Sequence, residues 1–131
     1  MKKLLKRLRL IADWFSDNFR IRWWNLVFMY AIFIIIVQSM PSPPSPEVLL
    51  TGFVWPNWLK HILLYFGFSF VLGIALRHSD VSYFRSNCYL WAVVFAVLFA
   101  VFDEFYQLYI PQRTSDVFDV LADSVGIVLA Q

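Results

Sequence analysis

The sequence predicts an all-α integral membrane protein: a four-helix bundle preceded by an amphipathic helix that lies at the membrane interface. Two observations predict this fold class. Of the 131 residues, 60% are hydrophobic and 15% are charged, whereas soluble domains average about 45–50% apolar and about 25% charged residues. The apolar residues also stand in three uncharged runs, 25–39, 62–76 and 88–102. With flanking aromatic residues each run reaches about 18–22 residues, enough to cross a hydrocarbon core of about 30 Å.

The N-terminal segment, residues 1–22, is basic and amphipathic. Its apolar side chains recur at helical spacing along one stripe: Leu4, Leu8, Ile11, Phe15 and Phe19. The opposite face is mostly basic. This pattern is typical of a helix that lies on an anionic membrane surface. A basic leader that only sets the orientation of the first span is the alternative interpretation.

The transmembrane unit, residues 23–131, contains four predicted spans at about 23–40, 58–76, 88–110 and 117–131. The last span ends about 15 residues after Asp116, which is short of a full crossing at about 1.5 Å per residue. We therefore expect a half-span, a locally thinned membrane or a longer natural chain.

The basic residues predict the orientation of these spans. Nine of the eleven Lys and Arg residues lie in residues 1–22 or 77–87. Because an excess of Lys and Arg in short loops marks the cytoplasmic face, the N-terminus is predicted to be cytoplasmic and the loops 41–57 and 111–116 to lie outside. No motif of a nucleic-acid-binding fold accompanies the basic segment, so no nucleic-acid partner is predicted.

Ionisable residues inside membrane spans are functional hypotheses by default, because they are costly to bury in lipid. His61, Tyr65 and Ser69 recur every four residues on the second span, which places them on one helix face. The third span ends with Asp103, Glu104 and Gln107, which share one arc. By the predicted topology, His61, Asp103, Glu104 and Gln107 belong to the outer half of the bundle.

The fourth span begins with further carboxylates. Thr114 or Ser115 is predicted to cap the helix, with Asp116 in its first turn. Asp116, Asp119 and Asp123 then follow at i, i+3 and i+7, which aligns them on one stripe. The sequence therefore predicts one polar cluster at the outer end of the bundle, comprising His61, Asp103, Glu104, Gln107, Arg113, Asp119 and Asp123.

The excess negative charge of this cluster must be neutralised by protonation, by a cation or by a basic group. A divalent cation held by Glu104, Asp119 and Asp123 is one interpretation, and it is the cofactor that the sequence suggests. Alternatively, Arg113 binds a phosphate or carboxylate head group while His61 or Glu104 acts as acid or base. A polar network that only holds the helices together is the third interpretation.

The candidate roles follow from these alternatives. The candidate catalytic residues are His61, Asp103, Glu104, Arg113 and Asp119. The candidate substrate-binding residues are Tyr65, Gln107, Arg113 and Asp123.

Two segments of the sequence resemble the VanZ-like family of bacterial membrane proteins. Asp103–Gly126, DEFYQLYIPQRTSDVFDVLADSVG, resembles the family's D-E-x-x-Q helix end, its arginine after a short proline-containing turn and its aspartate-bearing last helix. Trp58–Gly73, WLKHILLYFGFSFVLG, resembles the family's K-H helix start followed by an aromatic Y-F pair.

The resemblance implies a four-helix protein of the bacterial inner membrane, in a family whose named member is associated with resistance to the glycopeptide teicoplanin. The function we expect is therefore an action on the cell envelope, or tolerance to such antibiotics. The expected partners are membrane lipids and a lipid-linked envelope precursor or a glycopeptide. A membrane-embedded hydrolase or transferase that acts on a lipid phosphate is the alternative, so whether the protein is an enzyme stays open.

Overall fold

The computed structural model describes residues 22–40, 56–111 and 116–131. All regular secondary structure in these residues is helical, which confirms the predicted all-α fold class. The helices are α1 (Arg22–Ser39), α2 (Asn57–Arg77), α3 (Ser82–Ser86), α4 (Cys88–Gln107) and α5 (Val117–Leu129). The amphipathic helix predicted before residue 22 lies outside the described residues.

Helices α1, α2 and α4 are long and apolar enough to cross a membrane, with mean hydropathies of 1.3, 1.8 and 1.9 over their most apolar windows. Large hydrophobic side chains are exposed along all three helices, as expected of surfaces that face lipid. They include Phe28, Met29, Ile32, Phe33, Leu63, Phe66, Phe70, Leu98, Phe102 and Phe105. The chain is therefore a membrane protein with a helical bundle.

Helix α2 lies at the centre of the bundle and contacts both α4 and α5. The rings of Tyr30 in α1 and Phe68 in α2 are 6.1 Å apart, so α1 also packs against α2. In the buried face of α4, Ala92, Ala96 and Ala100 recur every four residues. Lipid supplies no hydrophobic force between membrane helices, so their association depends on close packing. Small residues at this spacing allow that close approach.

Helices α2 and α5 run parallel and approach very closely. A Cβ atom on Gly126 would lie 2.2 Å from the carbonyl oxygen of Ile62, so only glycine permits this backbone separation. Deeper in the bundle, the Ser69 hydroxyl donates to the carbonyl of Ile127 at 3.2 Å. The side-chain amide of Gln131 donates to Ser69 Oγ at 2.8 Å, so α5 lies beside α2 from the start of α2 to Ser69.

Further contacts show which helix ends lie at the same end of the bundle. The Ser39 hydroxyl donates to the Ile35 carbonyl at 2.6 Å and lies 3.2 Å from the Tyr106 hydroxyl, a contact that brings the ends of α1 and α4 together. The starts of α2 and α5 meet at this same end through Asn57 and Asp119. We call it the acidic end, because five of the six described carboxylates lie in or near it: Asp103, Glu104, Asp116, Asp119 and Asp123. The short helix α3, which the sequence did not predict, lies at the opposite end between α2 and α4.

Helix α4 ends at Gln107, after which Tyr109 and Ile110 donate to carbonyls three residues earlier, in a tighter turn before Pro111. The membrane span predicted at about 88–110 includes this turn and stays a prediction. One other feature of the predicted helices needs correction. The residue that caps α5 is Asp116, whose side chain accepts from the Phe118 amide at 2.9 Å. The prediction that placed Asp116 in the first turn was therefore wrong, whereas Thr114 and Ser115 lie outside the described residues.

Candidate functional site

An imidazole held between two carboxylates is the centre of the acidic end. His61 Nδ1 lies 2.9 Å from Asp123 Oδ1, and His61 Nε2 lies 3.6 Å from Asp119 Oδ2. His61 and Asp123 are both buried. Because a neutral imidazole has one N–H and an imidazolium has two, only the charged form can offer a donor to both carboxylates.

Asp119 is held on its other side by Asn57. The Asn57 amide lies 3.1 and 3.2 Å from the two carboxylate oxygens of Asp119. Both residues lie near the first turns of their helices, so the parallel alignment of α2 and α5 sets this contact. The result is a line of polar side chains, Asn57, Asp119, His61 and Asp123, that leads from the surface into the bundle.

A second buried pair joins α2 to α4. The Tyr65 hydroxyl donates to Asp103 Oδ2 at 3.1 Å, and neither residue is more than 1% exposed. Tyr65 lies one helical turn below His61 on the same face of α2. The other oxygen of this carboxylate, Asp103 Oδ1, is buried and has no hydrogen-bond partner among the described residues.

Glu104 connects α4 to the start of α5. One of its oxygens, Oε1, accepts a hydrogen bond from the backbone N–H of Asp116. The Glu104 side chain is 7% exposed. This contact positions the cap of α5, and it places a third buried carboxylate beside those of Asp103 and Asp123.

Two buried glutamines carry amide nitrogens that have no hydrogen-bond partner among residues 22–40, 56–111 and 116–131. They are Gln107 Nε2 in α4 and Gln38 Nε2 in α1. Gln107 is 1% exposed and Gln38 is 4% exposed. Buried polar groups normally have a hydrogen-bond partner, so each such atom requires an explanation such as an ion, a water molecule or a ligand.

The sequence of α4 explains why the polar groups gather at one end. Its buried face begins with the stripe of alanines and then changes to Asp103, Glu104 and Gln107 over the last two turns. On α2 the same change occurs, from His61 and Tyr65 near the start to apolar side chains further on. The bundle therefore has an apolar half and a polar half.

The structure brings together most of the predicted site residues. His61, Asp119 and Asp123 form one group, Tyr65 and Asp103 form a second, and Glu104 contacts the cap of α5. Gln107 is buried on the same face of α4 as Asp103. Arg113 lies outside the described residues, so the role predicted for it in anion binding stays a prediction.

A metal centre is not assembled by the described part of the chain. No group of three or more His, Cys, Asp and Glu side chains in it could hold a metal ion. Glu104 contacts the backbone of Asp116, while Asp119 and Asp123 flank the imidazole. The divalent cation suggested for Glu104, Asp119 and Asp123 therefore stays a prediction, without support from this geometry.

Sequence reasoning missed two residues of this region and one residue of the deeper contact between α2 and α5. Asn57 and Gln131 both make hydrogen bonds between α2 and α5, and Gln38 is buried. Gln38 carried a usable signal, since it is a lone amide at the end of an otherwise apolar span. Asn57 and Gln131 carried none, because polar residues at the ends of helices are ordinarily solvated.

Comparison with known protein families assigns the chain to a family. The model of the VanZ/LLP1 family matches residues 10–131, nearly the whole chain. The comparisons with curated proteins and with solved structures found no match. The matched region includes every helix described above and every polar residue of the acidic end, and the chain therefore belongs to the VanZ/LLP1 family.

Proposed function

We propose that the acidic end faces the outside of the bacterial inner membrane and acts on a component of the cell envelope, which raises tolerance to teicoplanin-type glycopeptides. One observation carries the proposal: charged side chains from α2, α4 and α5 are buried together at one end of a membrane bundle. Charged groups at membrane depth are costly and mark sites for ligands, ions or protons.

A role in holding the helices together explains these contacts less well. A network that served only this purpose would be expected to pair its buried polar atoms, because an unpaired one costs about 1–3 kcal/mol. Asp103 Oδ1 and Gln107 Nε2 are both buried without a partner among the described residues. Their arrangement supports a site that is completed by a further molecule.

The distribution of charge supports the proposed orientation. Of the described residues, Arg22, Arg77 and Arg85 lie at the end opposite the acidic end. Lys60 is the described Lys or Arg residue at the acidic end, and it is exposed. Because basic residues concentrate on the cytoplasmic side of membrane proteins, the acidic end is the end that we expect outside, with the N-terminus in the cytoplasm.

An antibiotic-tolerance assay tests this function. The wild-type chain and the variants Glu104→Gln and Asp123→Ala would be expressed in a susceptible host, and the inhibitory concentration of teicoplanin would be measured. We expect wild type to raise this concentration and both variants to lose the increase at equal expression. Asp80→Asn, which alters an exposed carboxylate between α2 and α3, is the matched control and should keep it. An unchanged concentration with wild type would refute the proposal.

A membrane-embedded enzyme acting on a lipid phosphate is the second candidate. The observation that favours it is the orientation of His61, which Asp123 holds at 2.9 Å, as a carboxylate holds a catalytic imidazole. Purified protein would be incubated with undecaprenyl and glycerophospholipid phosphates, with and without divalent cations. Phosphate release or transfer that is lost in His61→Gln would support the enzyme. Inactivity on every such lipid would refute it and would leave a binding function.

A further inference from the structure

A groove on the side of the bundle lies next to the acidic end. It has a volume of about 210 Å³ and lies between α4 and the start of α5. Its lining residues are Val101, Glu104, Phe105, Leu108, Val117 and Val120. Five of the six are apolar, and the sixth is the buried carboxylate that contacts the cap of α5. Sites for drug-sized molecules usually have about 300–1,000 Å³, so this groove suits a narrower occupant such as one alkyl chain.

The side chains around this groove are apolar and largely exposed, as on a surface that faces lipid. Phe105 and Leu108 are 63% and 59% exposed, and Val117 is 75% exposed. Phe105 belongs to α4, which has the length and hydropathy of a membrane span, and Leu108 directly follows this helix. Val117 is the first residue of α5. A hydrocarbon chain of a bilayer lipid is therefore the occupant that these surroundings favour.

The carboxylate in the groove selects among lipid head groups by its charge. Glu104 forms no ion pair with any Lys or Arg among the described residues, and its described polar contact is with the Asp116 amide. Among the described residues, Asp103, Asp119 and Asp123 add further negative charge near it, and the His61 imidazole lies between the last two. A carboxylate that lines an apolar groove is stabilised by a cation that also donates hydrogen bonds.

We propose that the groove between α4 and α5 binds one chain of an amine-bearing bilayer lipid, whose ammonium group pairs with Glu104. The lipid enters sideways from the bilayer and does not require an opening at the end of the bundle. This inference rests on the proposed function in one respect: the bound lipid would be the envelope component on which the acidic end acts.

Lipid retention measured by native mass spectrometry tests the proposal. The full chain would be reconstituted with phosphatidylethanolamine or with phosphatidylglycerol of identical chains, and the bound lipid would be counted after release from the membrane mimetic. Because only the amine lipid carries an ammonium group that can donate to Glu104, we expect at least about tenfold greater retention of the amine lipid. Equal retention of the two lipids, or preference for phosphatidylglycerol, would overturn the proposal.

Three variants assign the binding to this groove. Glu104→Gln should remove the preference for the amine lipid while retention of phosphatidylglycerol is unchanged. Val120→Phe should fill the groove and reduce retention of both lipids. Val125→Phe makes the same change at a half-exposed position of α5 outside the groove, and it should behave as wild type. A preference that persists in Glu104→Gln, or equal effects of the two phenylalanines, would overturn the assignment.

The teicoplanin assay separates this inference from the proposed function. Amine-lipid retention that depends on Glu104 and Val120, together with no effect of wild type on tolerance, would support the lipid site and refute the resistance function. Tolerance with no lipid preference would refute the lipid site and leave the resistance function standing. The two failures are therefore distinguishable in the same set of variants.

Discussion

Gly126→Ala is expected to separate α2 from α5, because the added methyl group has no space. The new Cβ would lie 2.2 Å from the carbonyl oxygen and 2.9 Å from the carbonyl carbon of Ile62. Since an ordinary contact begins at 3.4 Å, the two backbones must move apart by about 1.2 Å. A backbone atom cannot rotate away as a side chain does, so the helices themselves must shift.

This displacement is large enough to break the central contact of the site. Added to the 2.9 Å between His61 and Asp123, it gives about 4.1 Å, which is beyond hydrogen-bonding distance. Overpacking costs about 1–3 kcal/mol, and interhelical hydrogen bonds in membranes average about 0.6 kcal/mol. Alanine returns up to about 1 kcal/mol through its higher helix propensity. We expect a net loss of about 1–3 kcal/mol in the free energy of unfolding.

The assay is reversible unfolding in mixed micelles, followed by circular dichroism as sodium dodecyl sulfate is added. The matched control is Gly73→Ala, whose Cβ would meet only the end of the flexible Gln131 side chain at 2.8 Å. That variant should stay within about 1 kcal/mol of wild type, since the amide can move away. If Gly126→Ala were as stable as wild type, or if both substitutions were equally destabilising, the inferred close contact of α2 and α5 would be refuted.

Two further substitutions test the buried pairs in the same unfolding assay. Tyr65→Phe removes the donor to Asp103 and should cost about 1–3 kcal/mol, because a buried carboxylate oxygen loses its partner; the exposed Tyr83→Phe should cost nothing, and equal losses would contradict the pairing. Asp123→Ala leaves the imidazole without its nearest acceptor and should cost about 0.6–1.7 kcal/mol. Asp80→Ala serves as its control, and an equal loss there would show that the carboxylate at 123 has no special role.

The sequence predicted which polar residues form the site, but it did not predict which of them pair with each other. The spacing of His61 and Tyr65, four residues apart, places both on one face of a helix whatever surrounds it. Which carboxylate each one meets depends on how far α4 and α5 slide along α2. That offset is set by tertiary contacts, chiefly the approach of Gly126 to Ile62. No local pattern encodes such an offset, so the separate pairs with Asp123 and Asp103 could not be predicted.

The start of α5 illustrates the same limit. Thr114, Ser115 and Asp116 are all favourable capping residues, so propensity alone does not choose among them. The structure selects Asp116, whose backbone N–H also donates to Glu104 of α4. A contact between two helices therefore decides a boundary that is usually read from local sequence. The all-α class needed no such contact, because uncharged runs of this length leave few alternatives to membrane helices.

The proposed function depends most directly on the acidic end being reached from outside the cell. Tyr109 and Tyr83 are exposed tyrosines near opposite ends of the bundle, and each would be replaced by cysteine in a Cys88→Ala background. Intact cells would then be treated with a membrane-impermeant maleimide. We expect labelling of Tyr109→Cys in intact cells and of Tyr83→Cys only after the membrane is permeabilised. Labelling of Tyr83→Cys alone in intact cells would place the acidic end in the cytoplasm and contradict the proposed site.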